Sequence, residues 1–190
     1  MLNQVKELFA EYCPEKGELH AGTSVERRLS EVQDIFNDQE AVREILAKKD
    51  PLLYRVSAVE PARGAGDLHY GMGVLYPGKV GNEYYMTKGH FHETREAAEV
   101  YIGMAGEGCM LLESEDGKEV RMLPLGRGKI VYVPGHTAHR TMNTGKEPLV
   151  YFGIYPANAG HDYGAIAKRN FRHLIVAGHD QKPMLIQRKP

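Results

Sequence analysis

The chain has 190 residues, with 24 Lys and Arg against 25 Asp and Glu and a formal net charge of -1 at pH 7, so it offers no basic surface to nucleic acid or an anionic membrane. Its length fits a single core, and its two cysteines, Cys13 and Cys109, lie far apart outside any CxxC and signal neither a disulfide framework nor a thiolate metal site. The opening Met1-Leu2-Asn3-Gln4-Val5-Lys6-Glu7 places charge where a signal peptide needs apolar side chains, and no run approaches the roughly eighteen apolar residues of a membrane span, so a cytoplasmic protein is expected.

Residues 1–50 read as a helical N-terminal extension. Leu2, Val5, Leu8 and Phe9 recur at helical spacing, Ser30-Glu31-Val32-Gln33 resembles a capping box, and Asn37 or Asp38 can cap a helix running through Ala41, Val42, Ile45 and Leu46 until Asp50-Pro51 ends it. From Leu52 the pattern changes to short strands cut by turn residues. Strands are expected over Leu53–Val59, His69–Tyr76, Glu83–Thr87, Glu99–Met104, Cys109–Glu113, Glu119–Met122, Ile130–Val133, Ala138–Met142 and Leu149–Tyr155, with a hairpin at Asp116-Gly117. A helix can follow Asp162-Tyr163-Gly164 through Ile166, Ala167 and Phe171, and Gln181–Pro190 reads as a last strand with a frayed end. The spacing argues for an all-β sandwich or barrel over residues 51–190 and against βαβ units.

One constellation dictates chemistry. In Gly89-His90-Phe91-His92 an extended backbone turns both imidazoles to one face and Phe91 to the other. Glu99 follows seven residues after His92, with Glu93-Thr94-Arg95-Glu96 as the loop that resets strand parity, and His139 comes forty residues later, beyond the Pro134-Gly135 turn. Three imidazoles and one carboxylate suit a first-row divalent ion and leave positions open for substrate. His20, His69, His173 and His179 have no partners at ligand spacing and read as structural or exposed, while Lys79 and Lys88 read as solvated loop lysines.

Histidines in this order on a small all-β chain resemble the cupin double-stranded β-helix, a jelly-roll barrel. Longer strings are more specific: Tyr76-Pro77-Gly78-Lys79-Val80-Gly81, Thr87-Lys88-Gly89-His90-Phe91-His92, Ala98-Glu99-Val100-Tyr101, Ala138-His139-Arg140-Thr141 and Tyr155 through Gly164. Together with Arg27-Arg28-Leu29-Ser30 they resemble the cupin-type phosphoglucose isomerases known best from archaea, over a span from about Ser24 to about Ile175. The resemblance implies a homodimer that interconverts glucose 6-phosphate and fructose 6-phosphate with one divalent metal per chain, Fe(2+) first, with Mn(2+), Ni(2+) or Zn(2+) as alternatives. It implies metal ligands His90, His92, Glu99 and His139, phosphate contacts from Thr87, Gly89 and Tyr155, and a sugar site lined by Tyr54, Tyr101, His161 and Tyr163. Two positions depart from the pattern: Gly73 stands where archaeal members carry a threonine among the phosphate contacts, and His136-Thr137 replaces an aromatic pair before the last ligand.

Aldose–ketose interconversion moves two electrons between adjacent carbons and needs no nicotinamide, and no GxGxxG between strand and helix signals one. It needs polarised C1 and C2 oxygens and a route for hydrogen between the carbons. Glu99 is the best-placed carboxylate for that route, and His161 can open the ring or shuttle a proton to O5. A cupin dioxygenase and a non-catalytic sugar binder are the competing readings, separated from an isomerase by oxygen consumption and by turnover of fructose 6-phosphate.

Overall fold

Short runs rich in Val, Ile, Leu and Tyr, cut by Gly, Pro, Asp and Asn, pair here as antiparallel strands. The computed structural model describes residues 5–188. Along them lie β1 (Tyr12–Cys13), β2 (Glu18–Leu19), β3 (Thr23–Arg28), β4 (Leu52–Val59), β5 (Leu68–Leu75), β6 (Lys79–Val80), β7 (Glu83–Tyr84), β8 (Glu99–Ala105) and β9 (Glu107–Ser114). They are followed by β10 (Val120–Gly126), β11 (Ile130–Val133), β12 (Thr137–Asn143), β13 (Leu149–Pro156), β14 (His173–Ala177) and β15 (Pro183–Gln187). Three helices, α1 (Leu29–Val32), α2 (Gln39–Leu46) and α3 (Tyr163–Arg169), and a 3-10 turn at Gln33–Ile35 complete the described secondary structure.

A six-stranded sheet in the order β11-β8-β13-β5-β4-β3 shares one core with a three-stranded sheet, β10-β9-β12, and a four-stranded sheet, β15-β14-β7-β6. Leu53, Leu75 and Val131 of the first meet Met110, Leu125 and Ala138 of the second and Tyr84 and Ile175 of the third in that core. The architecture is the all-β double-stranded β-helix expected from the sequence, with open sheets rather than a closed barrel. Every strand expected from Leu53 to Tyr155 is present, most within two residues, except that Glu83–Thr87 pairs regularly only at β7. Beyond Tyr84 the chain leaves the four-stranded sheet and bridges to β12 through Met86 and Met142 and then through His90 and His139. Cys109 is buried in the core. Among the described residues no helix is long and apolar enough to cross a membrane.

The helical N-terminal extension is not borne out as a whole, its helices being confined to residues 29–46. Leu2 lies outside the described residues, and Val5, Leu8 and Phe9 form no helix. Leu8 and Phe9 stay exposed, so the apolar spacing had no surface to bury against, and a helix that short is marginal without one. Instead β1 and β2 form a hairpin, and Leu19 covers a small cluster of Met72, Val74 and Val150 on the outer face of the large sheet. β3 then pairs with β4 along its whole length. The capping signal at Ser30 also sits elsewhere: the Glu31 carboxylate accepts from the Arg28 N–H at 2.8 Å, so the helix starts earlier, and the Ser30 hydroxyl donates to Asp50 at 2.7 Å. Asp38 does cap α2, accepting from the Ala41 N–H at 3.0 Å. α2 ends at Leu46, before Asp50-Pro51, and α3 ends at Arg169, leaving Phe171 in the core beyond it.

α3 and the strand after it are fixed by one fully buried carboxylate on β9. Glu113 accepts from Arg169 Nη1 at 2.6 Å, from the Arg172 N–H at 3.0 Å and from His173 Nδ1 at 3.0 Å. Glu113→Ala strands these donors, and the expected loss is about 3 kcal/mol of unfolding free energy, measured by urea denaturation. A variant as stable as the parent would show that the cluster contributes nothing net.

Candidate active site

The segment that crosses from β7 to β12 carries the first ligand. Gly89 has φ +75, and a β-carbon there would lie 2.7 Å from the Phe171 ring and 3.0 Å from the His139 carbonyl oxygen, so only glycine makes this turn without displacement. The turn lets His90 and His139 exchange backbone hydrogen bonds of 3.2 and 3.1 Å, which brings their imidazole centroids to 4.3 Å. His92 converges on the same point, with centroids 5.6 Å from His90 and 5.3 Å from His139, while Phe91 turns away into the core. Thr94 and Ala97 close the loop with a 3.0 Å backbone bond, and Glu99 opens β8 as expected.

Ligand atoms of His90, His92, Glu99 and His139 lie within 4.8 Å of one another. His92 Nδ1 donates to the Ala97 carbonyl at 2.9 Å and His139 Nδ1 to the Thr137 carbonyl at 3.4 Å. A carbonyl can only accept, so in both rings Nε2 is left as a lone pair; it stands 3.3 Å (His92) and 3.1 Å (His139) from Glu99 Oε2. His90 Nε2 and His139 Nε2 are buried without any hydrogen-bond partner. Lone pairs converging on a carboxylate are a costly arrangement unless a cation is shared among them, so the donor set fits a divalent ion. With no ion bound, burial opposes the charge on Glu99, and protonation of His139 and His92, which turns the facing lone pairs into donors, holds its pKa down at about 2. Burial and the neighbouring imidazoles keep the His90 pKa well below its usual value. In His92 burial acts the same way, but Glu99 and the Ala97 carbonyl raise the pKa on balance.

A cavity of about 330 Å³ opens over this centre. Its floor is the inner face of the six-stranded sheet, reached by alternate residues: Tyr54, Val56 and Ala58 of β4, Glu99 and Tyr101 of β8, Tyr151, Gly153 and Tyr155 of β13. Every substrate contact expected from the sequence lines it, namely Tyr54, Thr87, Gly89, Tyr101, Tyr155 and Tyr163, together with Glu99 and His161; the ligand His92 stands behind the wall. Thr87 Oγ1 accepts from the Thr141 N–H at 3.1 Å, which leaves its own proton to donate. His161 sits 4.5 Å from the His90 ring and is stacked on Tyr163 at 5.8 Å, with its pKa lowered by burial. Burial and the nearby Glu99 charge push the Tyr101 phenol up.

The His161 loop is held in place. Asp162 caps α3 through the Ala165 N–H at 3.0 Å and exchanges backbone bonds with Phe91, and Arg95 joins its carboxylate to the His92 carbonyl and to Glu115. His136 takes no part in the centre; it is exposed, with Nδ1 3.9 Å from Glu115. His69 is buried against the Ala62 carbonyl and meets the Tyr155 ring edge-on.

Several lining residues lay outside the sequence reading: Arg27, Lys88, Arg140, Thr141 and Tyr151. Lys88, read as a solvated lysine, places Nζ 5.4 Å over the Tyr163 ring. Arg140 is buried, stacks 4.3 Å from Phe171 and donates to the Lys88 carbonyl at 2.6 Å, and burial lowers its pKa to about 9. Tyr151 shares its strand face with Tyr155, and that parity was the signal that could have found it.

Comparison with known proteins agrees with this geometry. A family model described as glucose-6-phosphate isomerase matches residues 26–186. Glucose-6-phosphate isomerase of Pyrococcus horikoshii is 48% identical over 162 residues, 85% of each chain, and that of Thermococcus kodakarensis is 47% identical over the same length, again 85% of each. Among solved structures, oxalate oxidase in complex with the substrate analogue glycolate aligns at 16% identity with a TM-score of 0.49, over 58% of this chain and 54% of its own. With the match running from β3 to β15 and identity this high over most of both sequences, the chain belongs to the glucose-6-phosphate isomerase family of the cupin type.

Proposed function

We propose that this protein interconverts glucose 6-phosphate and fructose 6-phosphate with one divalent ion held by His90, His92, Glu99 and His139. The carrying observation is that His90 Nε2 and His139 Nε2 are buried without hydrogen-bond partners, in a group whose ligand atoms, with those of His92 and Glu99, lie within 4.8 Å of one another beside the cavity. The strands after Pro51 supply most of the sheets around the cavity, and β3 before them lines one side of it with Thr23, Val25 and Arg27. Three imidazoles and one carboxylate accept Fe(2+), our first assignment, as well as Mn(2+), Ni(2+) and Zn(2+). An exposed edge strand at β3, with Val25 uncovered, supports a homodimer, and two free cysteines suit a reducing cytoplasm in which sugar phosphates feed glycolysis and gluconeogenesis.

When bound, the ion supplies Lewis acidity toward the C1 and C2 oxygens of the open-chain sugar. Thr87 and the Gly89 backbone, with Tyr155 reaching from β13, hold the phosphate, and Lys88 and Arg27 add positive charge to the cavity wall. Tyr54, Tyr101 and Tyr163 orient the sugar. His161, a neutral imidazole, exchanges a proton with O5 to open the ring. Glu99 Oε2 faces the imidazoles while Oε1 turns toward Gly153, so Oε1 is the oxygen that takes the proton from C2 and returns it to C1 through an enediol, while a proton passes from the O2 hydroxyl to O1.

Chelation is expected to abolish turnover of fructose 6-phosphate, and added metal to restore it. His92→Ala and His139→Ala should lose the ion by elemental analysis while keeping native circular dichroism; full activity in metal-free protein would sink the reading. Glu99→Gln, reloaded with metal, separates the role of base from that of ligand, because an amide oxygen coordinates but accepts no proton. The expected outcome is metal retained, kcat lowered by about two to four orders of magnitude, and solvent deuterium in the wild-type product. An active Gln variant together with no solvent deuterium in the product formed in D₂O would replace the enediol with a direct hydride shift.

A further inference from the structure

Gly73 and Tyr151 face each other directly across β5 and β13. A β-carbon at position 73 would lie 2.2 Å from Tyr151 Cζ and 2.4 Å from its hydroxyl oxygen. The phenol therefore occupies the space into which any side chain at 73 would project. Both residues line the cavity. The surroundings are rich in hydroxyl groups: the Thr141 side chain neighbours the Tyr151 phenol, and the Thr141 N–H donates to Thr87 Oγ1 at 3.1 Å. Tyr155 is four residues along the same strand, about 13 Å at an ordinary strand rise, beyond Gly153, with its ring 5.7 Å from His161 and 5.8 Å from His69. Of the two tyrosines, Tyr151 is the one linked to Thr87 through Thr141, with Tyr155 reaching toward the same group from farther along the strand.

Resting on the isomerase reading, we infer that Tyr151 is a phosphate-binding residue of this chain, its hydroxyl donating from the place left open by Gly73, and that residues 73 and 151 act as one unit. Tyr151 and Thr87 approach the same oxyanion from the sheet and from the crossing segment. The phenol suits this task because burial pushes its pKa up and keeps the proton on oxygen. Its contribution is to substrate affinity, with no part in proton transfer between C1 and C2.

The test uses metal-loaded wild type and Tyr151→Phe, with fructose 6-phosphate and inorganic phosphate as probes. Tyr151→Phe is expected to raise KM for fructose 6-phosphate about ten- to a hundredfold, the usual range for one hydrogen bond to a charged group, while kcat moves less than about threefold. Calorimetry should show inorganic phosphate weakened by a similar factor. Gly73→Ala displaces the ring and is expected to raise KM comparably, and the double variant should be no worse than the weaker single one. Unchanged KM and phosphate affinity in a folded Tyr151→Phe would overturn the assignment, as would a raised KM with unaltered phosphate binding, which would place the phenol on the sugar. Wild type that binds phosphate but does not isomerise would defeat the isomerase reading alone, and the calorimetric comparison would still decide Tyr151.

Discussion

The pairing of His90 with His139 is the constraint on which the site depends. It is a single antiparallel bridge made by a segment that belongs to no regular strand, yet it fixes two imidazoles at 4.3 Å and sets the course of the chain on either side. Upstream, it places Thr87 against Thr141 and the Lys88 carbonyl over Arg140. Downstream, it leaves Phe91 to insert into the core and His92 to return to the same centre. The buried Arg140 makes this crossing rigid, because its guanidinium is held by a backbone carbonyl and the Phe171 face where no carboxylate among the described residues pairs with it. A charge buried in that way is tolerated for the geometry it imposes.

The large sheet supplies the rest by alternation. Tyrosines from β4, β8 and β13 project into one cavity, and glycines among them keep the floor open. A cluster of phenols whose protons are retained by burial is a matrix of neutral donors, suited to a polyhydroxylated ligand that must be oriented without being trapped. Positive charge on the cavity wall comes from Arg27, Lys88 and Arg140.

Much of this was legible in the amino-acid sequence because it rests on local periodicity. The two-residue step of His90 and His92, the polar loop before Glu99 and the Pro-Gly turn before His139 each have a physical meaning that survives without coordinates. The strand runs of β4, β5, β8 and β11 to β13 were readable for the same reason. What stayed hidden depends on tertiary pairing. The spacing of Val5, Leu8 and Phe9 suggested a helix, but no surface is there to bury it, whereas Thr23–Arg28, with little apolar character, becomes a strand because β4 offers an edge. Lys88 looked solvated because neighbouring residues in sequence say nothing about Tyr163, which comes from the first turn of α3. Tyr151 was missed although its parity with Tyr155 was visible, because nothing local reveals that the residue across from it lacks a side chain.

Arg95 has a mechanical consequence. Its guanidinium spans the carbonyl of one ligand, His92, and the carboxylate of Asp162, whose neighbours His161 and Tyr163 form the lip of the cavity. Swinging that lip outward to exchange ligands must either break the Arg95–Asp162 pair or pull on the backbone of His92. The lip of the cavity and the backbone of the His92 loop therefore share a tether, so that a displacement of one would be felt by the other.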